Sequence, residues 1–475
     1  MSAFVAERGM GARAPGRVED WLRAYPYTAL VLGVGLLVRA VLMPLTFGGD
    51  FGMWSLTAAA TLRGQDTYSH PPLPIDRAGP YAYFPLYLYI LLPLKWLAEH
   101  LGVPYVVLGG EPAVHTSLSY VLLGKLPVVV GDVGVAVALA SVLRRAGLGD
   151  RACAHGAGLF FLNPLVLYNG PFYGRFDSLC LTALLVAWRQ LEPEPVRGRR
   201  LALWYALGVT LKTFPIFLLP YVVLRAGLRR GLGVALAALA LPVAVSLPYL
   251  LHNAHRFIYI VFVYDSTKGP RQFSWQFALL DLGLHLQAVK QISYVLLALF
   301  AVLLMLCTRA RPLSQATGDR RQATGKWPHV AGERHAPASL SPALRERGLS
   351  ASLRGEGGLA DPYAYVAVAF TLFLLLSKVL YEQYFLWPLP FLAILVVRDR
   401  ARMAALLLMV LSVTGLLAND WIHPFGYRPA PALWLNALIA VAAASFVAAH
   451  LRGRAAHAGR HTSGAKTPEA PIAAR

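Results

Sequence analysis

RRLALWYALGVTLKTFPIFLLPYVVLRAGLRR, residues 199–230, is the stretch on which the architecture turns. About 20 apolar residues span a bilayer as a helix, and here an apolar run from Leu201 to Leu224 lies between two arginine pairs, Arg199–Arg200 and Arg229–Arg230. A single crossing would leave the pairs on opposite sides. Lys212, Thr213 and Pro215 interrupt the run near its middle, and irregular backbone at depth is tolerated where it faces protein or a wet cavity. Two half-helices meeting at Lys212 return the chain to its starting side, with both pairs together.

The neighbouring runs obey the same logic. Spans are expected over Tyr27–Leu45, Ser117–Leu143, Cys153–Tyr168, Phe176–Trp188, Gly231–Leu251 and Ile292–Thr308, and later over Tyr363–Leu380, Gln383–Val397, Met403–Leu417 and Ala432–Ala449. Tyr81–Leu101 is apolar but aromatic-rich and carries Pro85 and Pro93. If it crossed, the next span would deliver Arg144 and Arg145 to the outside. Lying in the outer interface, with Lys95 snorkelling to the surface, it leaves them inside. All basic links then share one side: Arg8 to Arg23, Arg144–Arg145, Arg197–Arg200, Arg225–Arg230, residues 309–361, Arg398–Arg402 and the C-terminal tail. The positive-inside bias makes that side the cytoplasm, giving an all-α polytopic chain of about twelve membrane segments with both termini inside.

Composition agrees. Of 475 residues 57% are hydrophobic and 14% charged, with a mean hydropathy of +0.52; about 25% charged is usual for a soluble domain, so a soluble globular protein is excluded. The net charge of +20, from 44 Lys+Arg against 24 Asp+Glu, would suggest nucleic acid in a soluble chain. Here the basic residues sit between apolar runs, so membrane lipids are the expected partners and nucleic acid is not. Cys153, Cys180 and Cys307 show neither pairing nor metal-ligand spacing. Residues 1–25 are polar and Arg-bearing, without the pattern of a cleavable signal peptide.

The expected organisation is a cytoplasmic N-terminal segment (1–26), a membrane domain (27–308) with a first outer loop (46–116) and a second outer loop (252–290), and C-terminal membrane helices (362–451). Between the two membrane parts, residues 309–361 carry the near-repeats QATG (315–318, 322–325) and LRERGLS / LRGEGGLA (344–350, 353–360). Their polar, unpatterned composition reads as a disordered cytoplasmic insertion. Residues 452–475 read as a disordered basic tail.

Ionisable groups near membrane depth are costly and usually functional, and this topology collects many on the outer face. They are Asp50, the Tyr81–Tyr89 stretch with Tyr83, Arg175 and Asp177, Lys212, then Asp265, Lys268 and Arg271, Lys378 and Glu382, and Asp420 with His423. Each also has a plain reading. Asp50 could cap a helix over residues 51–62, Arg175 and Asp177 could pair, Lys212 could snorkel, Arg271 could be solvated, and Lys378 and Glu382 could form an i,i+4 salt bridge. His423 could be an ordinary surface residue.

GGDFGMWSLTAAATLRGQDTYSH (48–70) followed by PYAYFPLYLYILLPL (80–94) resembles the first outer loop of GT-C glycosyltransferases, in particular the dolichyl-phosphate-glucose-dependent glucosyltransferases. NPLVLYNGPFYGRFDSL (163–179) is similar to the Pro-containing stretch after the third span of these enzymes. SKVLYEQYFLWPLPFL (377–392) resembles their late motif, and more closely a stretch of the first GPI mannosyltransferase. The likeness covers most of residues 25–310 and 362–420 in motif order.

The resemblance implies a polyprenyl-phosphate sugar as donor and a lipid-linked or glycan hydroxyl as acceptor, with inverting transfer of mannose or another hexose at the outer face of the membrane. The high Ala, Leu, Arg and Gly content without cysteine pairs suggests a prokaryotic plasma membrane. The resemblance makes Asp50 the general base. Arg271 and Lys378, then Lys212 and Arg175, would bind the donor phosphate, with Asp177, Glu382 and Tyr83 in support. Leu380 or Tyr381 stands where the glucosyltransferases carry His, and no Asp-x-Asp triplet supports a metal site, so no cofactor is expected. The alternatives are a transporter or flippase of lipid-linked saccharides and an O-antigen ligase or polymerase. The first usually has broken helices paired between halves, and only one broken pair is evident here. The second relies on a large late outer loop.

Overall fold

The computed structural model describes residues 18–69, 80–103, 116–192, 196–264, 361–377, 381–417 and 437–446, with scattered positions between 274 and 302 and Trp434. Among these residues the regular elements are helices and no strand occurs. The insertion 309–360 and the tail 452–475 lie outside them, as do residues 1–17. Cys153 and Cys180 are buried and unpaired.

The first half of the chain supplies α1 (Val18–Ala24), α2 (Pro26–Leu42), α3 (Gly49–Leu62), α4 (Leu86–Leu101), α5 (Leu118–Arg145), α6 (Asp150–Phe161) and α7 (Asp177–Trp188). Pro26 opens α2 at a position where its missing N–H costs no hydrogen bond. Ser117 starts α5, its hydroxyl accepting from the Tyr120 N–H at 3.2 Å. α8 (Gly198–Leu211) and α9 (Leu219–Ala226) flank the extended Lys212 (φ −146°, ψ 143°) and a 3-10 turn at Phe214–Leu218. The break in the apolar run thus falls at the lysine, where the sequence places it. α10 (Leu228–Ile258), α11 (Pro362–Leu376), α12 (Leu389–Arg398), α13 (Arg402–Leu417) and α14 (Ala437–Phe446) follow.

α5 and the run Leu228–Val263 are each long and apolar enough to cross a membrane, and α2, α7, α11, α13 and α14 are shorter apolar helices. α7 sits centrally, with α5 on one flank and α8 on the other, while α12 packs on α6, α11 and α13. α10 closes the far side against α8 and α9. Along α10, Leu228, Leu232, Leu236, Leu239, Val243, Leu247 and Leu251 are all exposed. Their spacing of three or four residues draws one apolar stripe along one helix face, which suits contact with lipid rather than water.

One expectation fails at α4. Lys95 does not snorkel to the surface: it is 8% exposed, donates to Ser55 Oγ at 3.1 Å and lies 3.6 Å from Glu99. The helix faces α3 and α5, and a cation turned inward needs partners there. Burial lowers its pKa, against the raising pull of Glu99.

Candidate functional site

The stretch after α6 forms the floor of the site. Asn163 caps a short turn through the Leu165 N–H (3.0 Å) and anchors it to α13 through Ser412 Oγ (2.7 Å). A π-turn at Tyr168–Phe172 then brings Gly174 to φ +93°, a backbone state that glycine adopts freely. The turn leaves Arg175 pointing back over itself: its backbone N–H reaches the Asn169 carbonyl (2.8 Å), Nη1 reaches Asn169 Oδ1 (3.3 Å), and the guanidinium lies 4.7 Å from the Tyr173 ring centre.

α3 docks on this floor by its first residues. The Gly48 N–H donates to the Tyr173 carbonyl at 2.9 Å, and a Cβ on Gly48 would fall 2.0 Å from the Tyr173 ring. The contact therefore requires glycine. Asp50 then lies in the first turn of α3 with Oδ2 3.5 Å from Arg175 Nε. The Arg175 side chain is 6% exposed, whereas that of Asp50 is 46% exposed. Asp50 does not cap the helix, because Gly48 is the capping residue and no side chain takes that role. A carboxylate in the first turn still sits favourably at the positive end of the helix.

Arg175 and Asp177 do not pair with each other. Asp177, 1% exposed at the start of α7, accepts from Lys212 Nζ and from the Trp387 indole N–H, each at 2.8 Å and both on Oδ1. Its Oδ2 is buried without a hydrogen bond among the described residues. Lys212 is 4% exposed and so does not snorkel; its ammonium lies 4.8 Å from the Phe176 ring centre and 5.2 Å from that of Tyr83. Trp387 is fixed by stacking on Phe214 at 3.7 Å. Breaking α8 at Lys212 is what lets one ammonium meet a carboxylate and two ring faces.

These groups border a cavity of about 920 Å³ whose lining includes Asp50, Tyr83, Arg175, Lys212 and Trp387. Apolar residues complete a wall of it: Pro242 and Leu250 from α10, with Leu239 and Val243 at the edge of its exposed stripe, and Phe257, Ile258, Val261 and Phe262 beyond the kink at Asn253. One accessible carboxylate therefore shares a cavity with two nearly buried cations and an apolar wall. Asp177 stands behind Lys212 rather than on the cavity surface. No group of three or more His, Cys, Asp or Glu side chains among the described residues could hold a metal ion. Arg271, Lys378, Asp265, Lys268, Asp420 and His423 lie outside the described residues, and so does the side chain of Glu382.

Among the described residues, Arg39, Lys125 and Asp132, all fully buried ionic side chains, are not singled out by the sequence pattern. On α5, Lys125 and Asp132 are both 0% exposed. Asp132 pairs with Arg39 of α2 at 2.9 Å and accepts from Ser178 of α7. Lys125 Nζ lies 2.8 Å from the carbonyl oxygens of Met43, Pro171 and Phe172 and also reaches that of Thr46, so its three N–H groups are shared among four acceptors. Their seven-residue spacing in an apolar run, which places both on one helix face, was the available signal.

No family model matches the chain and no curated protein matches it. Among solved structures it is similar to the crystal structure of ArnT from Cupriavidus metallidurans bound to undecaprenyl phosphate. The sequences are 15% identical, the match covers 94% of this chain and 82% of that one, and the TM-score is 0.44.

Proposed function

We propose that the chain is a multi-pass membrane glycosyltransferase of the GT-C type, taking a hexose such as mannose from a polyprenyl-phosphate donor to a lipid-linked or glycan hydroxyl. The observation that carries this reading is the cavity, which combines a reachable Asp50, the cations Arg175 and Lys212, and an apolar wall on α10. A lipid phosphate needs cations for its headgroup and apolar surface for its chain.

In this reading the acceptor oxygen attacks the anomeric carbon as the bond from that carbon to the phosphate oxygen breaks. The bond's electron pair leaves on the lipid phosphate, and the acceptor proton passes to Asp50 as base. Fixed cations offset the charge that develops on the departing group. Lys212 and Arg175 supply two of these, and Arg271 and Lys378 are proposed as further phosphate ligands. Tyr264, the last described residue before the segment bearing Arg271, lines the cavity, as does Tyr381, three residues after Lys378. Asp177 holds Lys212 in place, and Tyr83 covers its ammonium.

The test is direct. Purified protein in lipid vesicles is incubated separately with polyprenyl-phosphate mannose, glucose and arabinose plus a membrane lipid extract as acceptor source, and release of polyprenyl phosphate is measured. Release from the mannose or glucose donor, abolished by Asp50→Asn, is the expected result; release from the arabinose donor alone would overturn the hexose assignment. Transport of a lipid-linked sugar across the vesicle without any release would overturn the transferase reading.

A further inference from the structure

Lys125 presents an ammonium with no carboxylate partner among the described residues, ringed instead by four main-chain carbonyls. Two of these, Met43 and Thr46, belong to the segment between α2 and α3; the other two, Pro171 and Phe172, belong to the π-turn. The two segments are far apart in the chain. Four residues beyond Thr46 comes Asp50, and three beyond Phe172 comes Arg175. Lys125 therefore sits at the root of both arms of the Asp50–Arg175 pair.

We propose that Lys125 is a positioning residue: its ammonium ties the segment 43–46 to the turn 171–172 and so sets the placement of Asp50 over Arg175. This rests on the transferase reading for its catalytic consequence, but the tie itself is independent of what the cavity binds. Four carbonyl dipoles converging on one point repel each other unless a cation sits between them. With the cation present they hold both segments at one distance, and the Gly48 to Tyr173 hydrogen bond at 2.9 Å closes the arrangement above it. Removing the charge should let the arms part while α5 stays buried through the Arg39–Asp132 pair, seven residues further along.

The test uses the full chain in lipid vesicles, with Lys125→Met as the near-isosteric apolar variant, Lys125→Gln as one that keeps two donors, and Lys125→Ala with and without added ethylammonium. Two measurements are made. Backbone hydrogen exchange should show protection lost in the Met variant over residues 43–52 and 170–176 and kept over α7, with partial protection in the Gln variant. In the polyprenyl-phosphate release assay kcat should fall about 10²-fold, the size expected from displacing a reacting group by about 1 Å, with KM for the donor changed less than threefold. Ethylammonium should restore part of the protection and of kcat to the Ala variant.

Unchanged exchange in the Met variant overturns the proposal, whatever the activity. So does a loss of kcat without a change in exchange, which would make the charge itself part of the chemistry. Failure of both Met and Gln variants to fold would show a role in the whole fold rather than in placing two arms. If the wild type releases no lipid phosphate while the exchange result holds, the transferase reading falls and the tie stands.

Discussion

At the residue scale the chemistry divides between a carboxylate that can be reached and one that cannot. Among the described residues that line the cavity Asp50 is the only carboxylate, and Gly48 already caps α3, so removing the charge at position 50 should spare the fold. Asp50→Asn should cut polyprenyl-phosphate release by about 10²–10⁴-fold, the usual worth of a general base, with only a small drop in melting temperature from the lost helix-end charge and its Arg175 contact. Near-normal turnover would leave Asp50 as no more than a partner for Arg175. Asp177 should behave in the opposite way. It balances a nearly buried Lys212, and breaking such a pair by removing one partner costs about 3–5 kcal/mol. Asp177→Asn should therefore lower stability strongly, and Lys212→Met added to Asp177→Leu should recover much of it without recovering transfer. Thermal unfolding in detergent separates the two cases; a stable Asp177→Asn single variant would show that the ion pair is dispensable.

At the element scale, the turn between α6 and α7 carries the site, and Gly174 is where it is most sensitive. An L residue at φ +93° is strained, by about 1–2 kcal/mol in the left-handed region, and a Cβ there would lie 2.7 Å from the Phe51 ring. Gly174→Ala should displace α3 and reduce turnover more than donor binding. The other end of α7 offers a pH test. Burial raises the Glu192 carboxyl above its ordinary value, against the lowering pull of the Tyr363 hydroxyl, Arg145 and Arg189. A carboxyl that protonates more readily folded than unfolded contributes stability below its unfolded pKa, and that contribution is lost as pH rises through the raised value. Glu192→Gln keeps an acceptor for Tyr363 and has no charge to bury. It should be more stable than wild type at pH 8 and closer to it at pH 4.5; equal melting temperatures at both would show that Arg145 and Arg189 fully offset the burial.

Sequence patterns gather residues onto a common face more readily than they pair them, and the reason is physical. Asp50, Tyr83, Arg175 and Lys212 were brought to one face by counting apolar runs and basic links, because each such run must either cross or return. That Arg175 would meet Asp50, and Lys212 would meet Asp177, depends on how α3 lies across the π-turn and where α8 breaks, which short spacings do not encode. Lys95 departs from its expected place for the same reason: an aromatic-rich interfacial helix suggests a snorkelling lysine, yet the inward partner Ser55 sits forty residues away. Lys125 was hidden more deeply still, since carbonyls have no sequence signature.

For the whole molecule, orientation follows from charge rather than from contacts. Asp50 and Lys212 share one cavity, while Arg145 and Arg189 lie at the far ends of α5 and just beyond α7. Positive residues favour the cytoplasmic side, so the Arg145 end should face inward and the cavity outward. We propose in addition that residues 309–361, basic and repetitive in sequence, are cytoplasmic and dispensable, so that deleting 313–358 leaves transfer intact. Single cysteines on a background lacking Cys153, Cys180 and Cys307 can decide the orientation in intact cells. A cysteine replacing the exposed Gln65 should react with a membrane-impermeant maleimide from outside. Cysteines replacing Ser339 or Arg199 should react only after the cells are opened. Outside labelling at Ser339 together with protection at Gln65 would invert the molecule, place the cavity in the cytoplasm, and require a donor carried on a lipid of the inner leaflet.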